Sequence, residues 1–433
     1  MVKVRTLNEI EADVFGDYYL GDKEKIKKVV VGDLPFMISH DNKLICFPRE
    51  KMESFKVGVF GMTRSGKTLI LHAIVDRIRW YWYIPICVIN DFLVETAPWA
   101  RKNVEFIRAL GRLGEEPFPL PIVHVYLQHK DIKIYVNPLT VPNVRMSISV
   151  AEVIDNPTLY MRLTESAQIH LRKERSKLEE CSSKEEVISI IENSFKGALF
   201  DTLKNHILVA AEDLLEEDFV DITASQKVFE FSGAPSASFK TKLKDGKIFQ
   251  ASAFPFFMNI GLIPVLMTRD FLHKRYSSAI IASILRKLFD FPKKYHKKCV
   301  IACPEISTIS STEDRDNPAN DELVNIASRG GLEGVGLIYD TQHYTRVEKK
   351  IRQNTAYIIV FVQKSETANE IKKDFGLGKQ EVEWMVKLKK YECLACTQET
   401  FAVYDFQGNR ELTNEHQRGY SIPPLSLHKR PNV

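Results

Sequence analysis

The chain has 433 residues, 44% apolar and 27% charged, an ordinary globular composition with length for two or three domains or for one domain with large insertions. Its formal net charge of +4 is too small for nucleic-acid binding to be read from composition, so any such surface must be local. Neither a secretory signal nor a membrane span is expected: the first residues, with Lys3, Arg5, Glu9, Glu11 and Asp13, hold no apolar core, and the longest apolar stretch, Ala253 to Met267, falls short of the roughly 20 residues that cross a bilayer. That stretch, broken by Pro255, Asn259 and Pro264, is read as buried sheet.

In chain order, residues 57–60 form a short apolar strand and Leu69, Ile70, Ala73, Ile74 and Ile78 give helical spacing. Between them lies Gly61-Met62-Thr63-Arg64-Ser65-Gly66-Lys67-Thr68, the GxxxxGK[ST] spacing of a phosphate-binding P-loop. Gly61 and Gly66 let the main chain approach polyphosphate without a Cβ, and the N–H groups of Thr63 to Leu69 converge at a helix N-terminus. Lys67 is expected at the β- and γ-phosphates and the Thr68 hydroxyl on Mg²⁺, so the cofactors are read as ATP and Mg²⁺. Against a mere glycine turn before an ordinary helix stand the strand residues Val57, Val59 and Phe60 before the loop and the helical spacing after it.

Further strands are expected at 86–89, 122–125, 132–136, 263–267, 299–303, 335–339 and 356–362, several of them continuously apolar, as in strands covered on both faces. Their alternation with helices predicts an α/β fold with a mainly parallel sheet. Between about 145 and 250 the pattern changes to a helical insertion, with Ile191, Phe195, Leu199, Leu203 and Ile207 spaced by four. It closes on the loop Ser232 to Ser238, followed by Lys240, Lys242, Lys244 and Lys247. Past 390, Cys393 and Cys396 form a lone CxxC among seven cysteines, short of a four-ligand zinc site; a reduced, mostly structural set in a cytoplasmic protein is expected.

A P-loop ATPase needs a second strand that carries acids to the metal and the attacking water. Val300-Ile-Ala-Cys-Pro304-Glu305 is the candidate, with Glu305 just past the strand's C-terminal edge, placed to accept a proton from water or to orient it. Residues 334–342 form another buried strand ending in Thr341-Gln342, whose amide can donate and accept and so serve as a γ-phosphate or water sensor.

From about Val30 to Phe406 the chain resembles the HerA/FtsK superfamily of hexameric DNA-pumping ATPases, its HerA branch most closely. The resemblance is carried by Gly61-Met62-Thr63 in the P-loop, by Gly32 to Asp41, by the order Asn259–Met267, Ile280–Phe289, Cys299–Glu305, and by Ile326 to Gln342 with its Thr-Gln ending. It implies RecA-like subunits in a ring, a small N-terminal β element, ATP at subunit interfaces and duplex DNA in the centre. It also implies an arginine reaching the neighbour's γ-phosphate, for which Arg329 is the match and Arg346 and Arg352 are reserves. Three departures stand out. Arg64 replaces a glycine of the branch's GMTGSGKT, Gly331-Leu332 replaces a second basic residue, and Pro304 replaces the aspartate that holds a Mg²⁺-bound water. Either Thr68 and water suffice for the metal, or another acid such as Asp91 or Glu95 stands in for that aspartate, or hydrolysis is lost.

The expected organisation is an N-terminal β-rich element (1–55), a first core part with the P-loop (56–144), the helical insertion (145–250), a second core part (251–404) and a tail (405–433). Duplex DNA would meet local basic runs, Lys240, Lys242 and Lys244 or Arg346, Lys349 and Lys350. The function read from all this is an ATP-driven double-stranded DNA translocase, a homo-oligomer with a nuclease or other processing partner. The rival readings are a nucleotide-binding structural subunit without turnover and a P-loop NTPase acting on a substrate other than DNA.

Overall fold

Strands with no polar face need cover on both sides, and here they lie side by side. In the computed structural model, Tyr357–Val360, Lys56–Phe60, Val335–Thr341, Cys299–Cys303 and Ile86–Ile89 form, in that order, a parallel sheet whose side chains are nearly all buried. The structure describes residues 32–90, 94–95, 110, 113, 115, 120, 122–127, 144–149, 169, 171, 173–195, 201–215, 220–221, 247–249, 253–259, 261–268, 274–312, 317–405, 407–425 and 427–428. These fall into two units, residues 1–121 with 288–433 and residues 122–287. The strand expected at 132–136 lies outside the described residues.

The sheet of the first unit is mixed. Beyond Tyr357–Val360 it continues antiparallel through Glu392–Thr397, Gln417–Ser421, Leu34–Ser39, Leu44–Phe47, Phe401–Tyr404 and Arg410–Thr413. The N-terminal β element is thus interleaved with the chain's last strands, and residues 410–421, read from sequence as tail, are woven into this sheet. Buried Asp33 ties the two ends, accepting from Tyr404 Oη at 2.6 Å, Arg410 Nε at 2.6 Å and the Arg49 N–H at 3.0 Å.

The helix Lys67–Arg77 follows the P-loop strand and buries Ile70, Leu71, Ala73, Ile74 and Val75. Its last residue, Arg77, is fully buried. The guanidinium grips Glu115 with two hydrogen bonds, one of them from Nε at 2.9 Å, and donates from Nη1 to the carbonyls of Pro423 at 2.8 Å and Ala73 at 3.2 Å. The helix Pro318–Glu333 starts on an Asn317 side-chain cap with proline in its first turn and stops at Gly334, φ +82°. Its end feeds the start of Val335–Thr341, so it runs from the P-loop edge of the sheet to the opposite edge.

In the second unit, Ile263–Leu266, Ile122–Leu127 and Val144–Ser149 are parallel, and Val220–Asp221 and Lys247–Phe249 each pair with the last of these. Its helices include Lys184–Ser194, capped by Ser183 on the Glu186 N–H at 3.2 Å, and Asp201–Leu215. The apolar stretch from Ala253 is not sheet throughout. Ala253–Asn259 is a helix that buries Phe254, Phe257 and Met258, and the chain turns at Gly261, φ +90°, before the strand Ile263–Leu266. No helix among the described residues is long and apolar enough to cross a membrane.

Candidate functional site

The P-loop leaves its strand between two neighbours. The Gly61 N–H donates to the Thr341 carbonyl at 3.4 Å and the Met62 N–H to the Val362 carbonyl at 3.2 Å, while the Tyr391 N–H donates to the Ser65 carbonyl at 2.9 Å. A Cβ on Gly61 would lie 2.7 Å from Phe361 and 2.8 Å from Ser65 Oγ, and Gly66 has φ +123°; both positions demand glycine. Arg64, where the resembled family has glycine, is also left-handed at φ 62°, which explains the family's choice and leaves an exposed guanidinium on the loop. Lys67 is buried and donates from Nζ to the Met62 carbonyl at 3.3 Å; Thr68 and Leu69 are half-buried in the first helical turn.

Three segments far apart in sequence meet here. Thr63 Oγ1 donates to Gln342 Oε1 at 2.5 Å, and Gln342 Nε2 donates to Glu305 Oε1 at 2.8 Å. The P-loop, the candidate sensor and the candidate base are therefore one hydrogen-bonded chain. Glu305 takes the left-handed conformation, φ 47°, ψ 53°, which costs a residue with a Cβ about 1–2 kcal/mol and is held by neighbours. Its N–H donates to Asp340 Oδ1 at 2.5 Å, its carbonyl accepts from Thr308 Oγ1 at 2.9 Å, and Asn90 Nδ2 fixes the preceding Pro304 carbonyl at 2.7 Å.

Asp340 is the residue that sequence reasoning missed. The strand Val335–Thr341, within the 334–342 read from the sequence, carries this carboxylate into the buried sheet, 1% exposed. An acid between Tyr339 and Thr341 at the end of an apolar run was the available signal. Burial first, and the Glu305 carboxylate second, push Asp340 up from 3.8 to about 7, against the pull of the Glu305 N–H and the Lys67 ammonium. A folded value above the unfolded one means that stability is full below the ordinary carboxylate range and is lost as pH rises through about 7. In metal-free protein, Asp340→Asn is expected to flatten this loss. Thermal unfolding at about pH 5 and about pH 8 should show wild type losing a few kcal/mol more than the variant, on the order of 1.4 kcal/mol per pH unit crossed.

Two buried side-chain oxygens at the site, Ser65 Oγ and Asp340 Oδ2, lack hydrogen-bond partners among the described residues. With the Thr68 hydroxyl and the loop N–H groups they make a donor and acceptor set that fits a polyphosphate carrying Mg²⁺. Asp91 lies outside the described residues, and Glu95 sits in the two-residue strand Val94–Glu95.

Other sequence candidates lie elsewhere. Arg329 is exposed near the C-terminal end of Pro318–Glu333, toward the edge opposite the P-loop, and does not meet this chain's own site. A cavity of about 590 Å³ opens at that far edge, lined by Lys56, His296, Lys298, Leu332 and Glu333, with Leu332 94% exposed. Arg352 is committed to the fold, paired with Asp374 and stacked 4.5 Å over Tyr344. Arg346, Lys349 and Lys350 are exposed just beyond Gln342, and Lys240, Lys242 and Lys244 lie outside the described residues. All seven cysteines are buried and free, Cys393 and Cys396 included.

No protein-family model and no curated protein matches the chain in sequence. Solved structures do match in fold. VirB4 of Thermoanaerobacter pseudethanolicus superposes with a TM-score of 0.51 at 10% identity, over 91% of this chain and 97% of that one. The bacterial conjugative coupling protein TrwB gives 0.48 at 11% identity, over 94% and 91% of the two chains. The genome packaging NTPase B204 from Sulfolobus turreted icosahedral virus 2, in complex with ATP-gammaS, gives 0.32 at 12% identity, over 83% and 97%. With a P-loop on the central parallel strands and a course that follows VirB4 over nine-tenths of its length, the chain has a RecA-like P-loop fold similar to that of VirB4.

Proposed function

We propose that this protein is an ATP-driven double-stranded DNA translocase acting as a ring, a hexamer by the resemblance of its sequence to HerA/FtsK ATPases. The observation that carries the ATPase part is the chain Thr63–Gln342–Glu305, which couples the phosphate loop to a carboxylate suited to water activation. Glu305 takes the proton of the attacking water or orients it, and Gln342 holds the carboxylate in place while linking it to the P-loop. Lys67 and the loop N–H groups hold the polyphosphate, and Thr68 would hold Mg²⁺, whose positive charge offsets that of the phosphates.

Arg329, exposed and away from this chain's own P-loop, is suited to a neighbouring subunit's nucleotide. Lys349 and Lys350, exposed on a short helix soon after the Gln342 strand, would carry a nucleotide-dependent shift to the DNA backbone. Pro304 favours one second reading, a nucleotide-binding subunit that assembles without turnover. Steady-state ATP hydrolysis with and without linear duplex DNA separates the two, with Lys67→Ala as the blank. Stimulation by DNA that disappears in the variant is expected. Turnover indifferent to DNA would point to another substrate, and no turnover at all would point to the structural subunit.

A further inference from the structure

Pro304 removes the carboxylate that the resembled ATPases place directly before the glutamate. The sheet register shows where another lies. The strands Cys299–Cys303 and Val335–Thr341 are parallel with Cys303, the residue before Pro304, beside Tyr339, the residue before Asp340. On its other side Asp340 is level with Val59 of the P-loop strand. The carboxylate therefore follows the last register pair, on the neighbouring strand that lies toward the P-loop.

We propose that Asp340 is the positioning residue that replaces the missing aspartate. Its Oδ1 fixes the Glu305 main chain, and its Oδ2 holds a water of the nucleotide-bound Mg²⁺. This rests on the nucleotide-binding reading of the site. Asp340 Oδ1 accepts the Glu305 N–H at 2.5 Å, while Oδ2 is buried and without a hydrogen-bond partner among the described residues. Holding the N–H needs only an oxygen, which asparagine would supply without the cost of burying a charge. A charge retained at such a place is explained by a cation that joins it, and Mg²⁺ binds through one or two carboxylates, waters and substrate phosphates. Lys67, whose charge is felt at Asp340, marks the phosphate end of the same site.

The test is nucleotide binding rather than turnover. The affinity for a fluorescent non-hydrolysable ATP analogue is measured in excess Mg²⁺ and in excess EDTA, for wild type, Asp340→Asn and Pro304→Asp/Asp340→Asn, with thermal unfolding as the check on folding. Asp340→Asn keeps an acceptor for the Glu305 N–H. It is expected to reduce the tightening by Mg²⁺ by about 10–100-fold, the usual effect of removing an outer-shell metal partner, with affinity in EDTA nearly unchanged. The double variant returns a carboxylate to the glutamate strand and is expected to regain most of the Mg²⁺ effect. A wild-type Mg²⁺ effect in Asp340→Asn would overturn the proposal, as would a folded double variant that regains nothing. A wild type that binds no nucleotide under either condition would instead defeat the nucleotide-binding reading.

Discussion

Glu305→Gln is expected to lower the ATP turnover number by about 10²–10⁴-fold while leaving nucleotide affinity within a few-fold, because it removes a proton acceptor and little else. Glutamine keeps the length and one carbonyl oxygen of the side chain, so the hydrogen bond from Gln342 Nε2, 2.8 Å in the native protein, survives. The backbone of residue 305 is held by groups the substitution does not touch, the Asp340 carboxylate, Thr308 Oγ1 and, through Pro304, Asn90. Lys67, Thr68 and the loop N–H groups are likewise unchanged, so binding is preserved. Single-turnover hydrolysis beside equilibrium binding of the same nucleotide checks both halves. Unchanged turnover would remove Glu305 from the chemistry, and lost binding would make its role structural.

The largest effect on stability should come from the other end of the P-loop helix. Arg77→Met leaves Glu115 buried without its partner, and breaking one side of a buried ion pair costs about 3–5 kcal/mol. The loss reaches further than the pair. Tyr81 Oη also donates to Glu115, at 2.7 Å, and Arg77 Nη1 is the bond that holds the Pro423 carbonyl, so one substitution loosens both the helix end and the C-terminal segment. Removing both charges, as in Arg77→Met/Glu115→Leu, should recover much of the loss, because the penalty lies in the unpaired charge. Thermal or urea unfolding of the two variants measures this; equal destabilisation of single and double variants would count against it.

Local chemistry was legible in the sequence wherever it rests on spacing. The P-loop needs only eight successive residues and a strand and helix around them, and it stands where its spacing placed it. Glu305 and Gln342 were recognisable as polar groups that end apolar strands, and the structure brings them together. The helix Ala253–Asn259 was misread because a short, fully apolar run has no polar face to reveal its period. Asp340 escapes a reading of the sequence because it lies inside the strand 334–342 and meets Glu305 only across the sheet, whereas Asp91 and Glu95 follow the strand 86–89 along the chain.

What the sequence determined by itself is therefore the glycine-rich loop between its strand and helix, the α/β character and the polar residues at the strand ends. These depend on the period of apolar residues and on fixed spacings, which any short window of chain contains. Which strands become neighbours was decided only by the tertiary structure. The bond from the Glu305 N–H to Asp340, the bond from Thr63 to Gln342 and the pairing of Leu34–Ser39 with Gln417–Ser421 each join segments tens to hundreds of residues apart. The register of such pairs is set by burying apolar faces against one another and by satisfying every buried main-chain group at once, a condition on the whole sheet that no single segment carries.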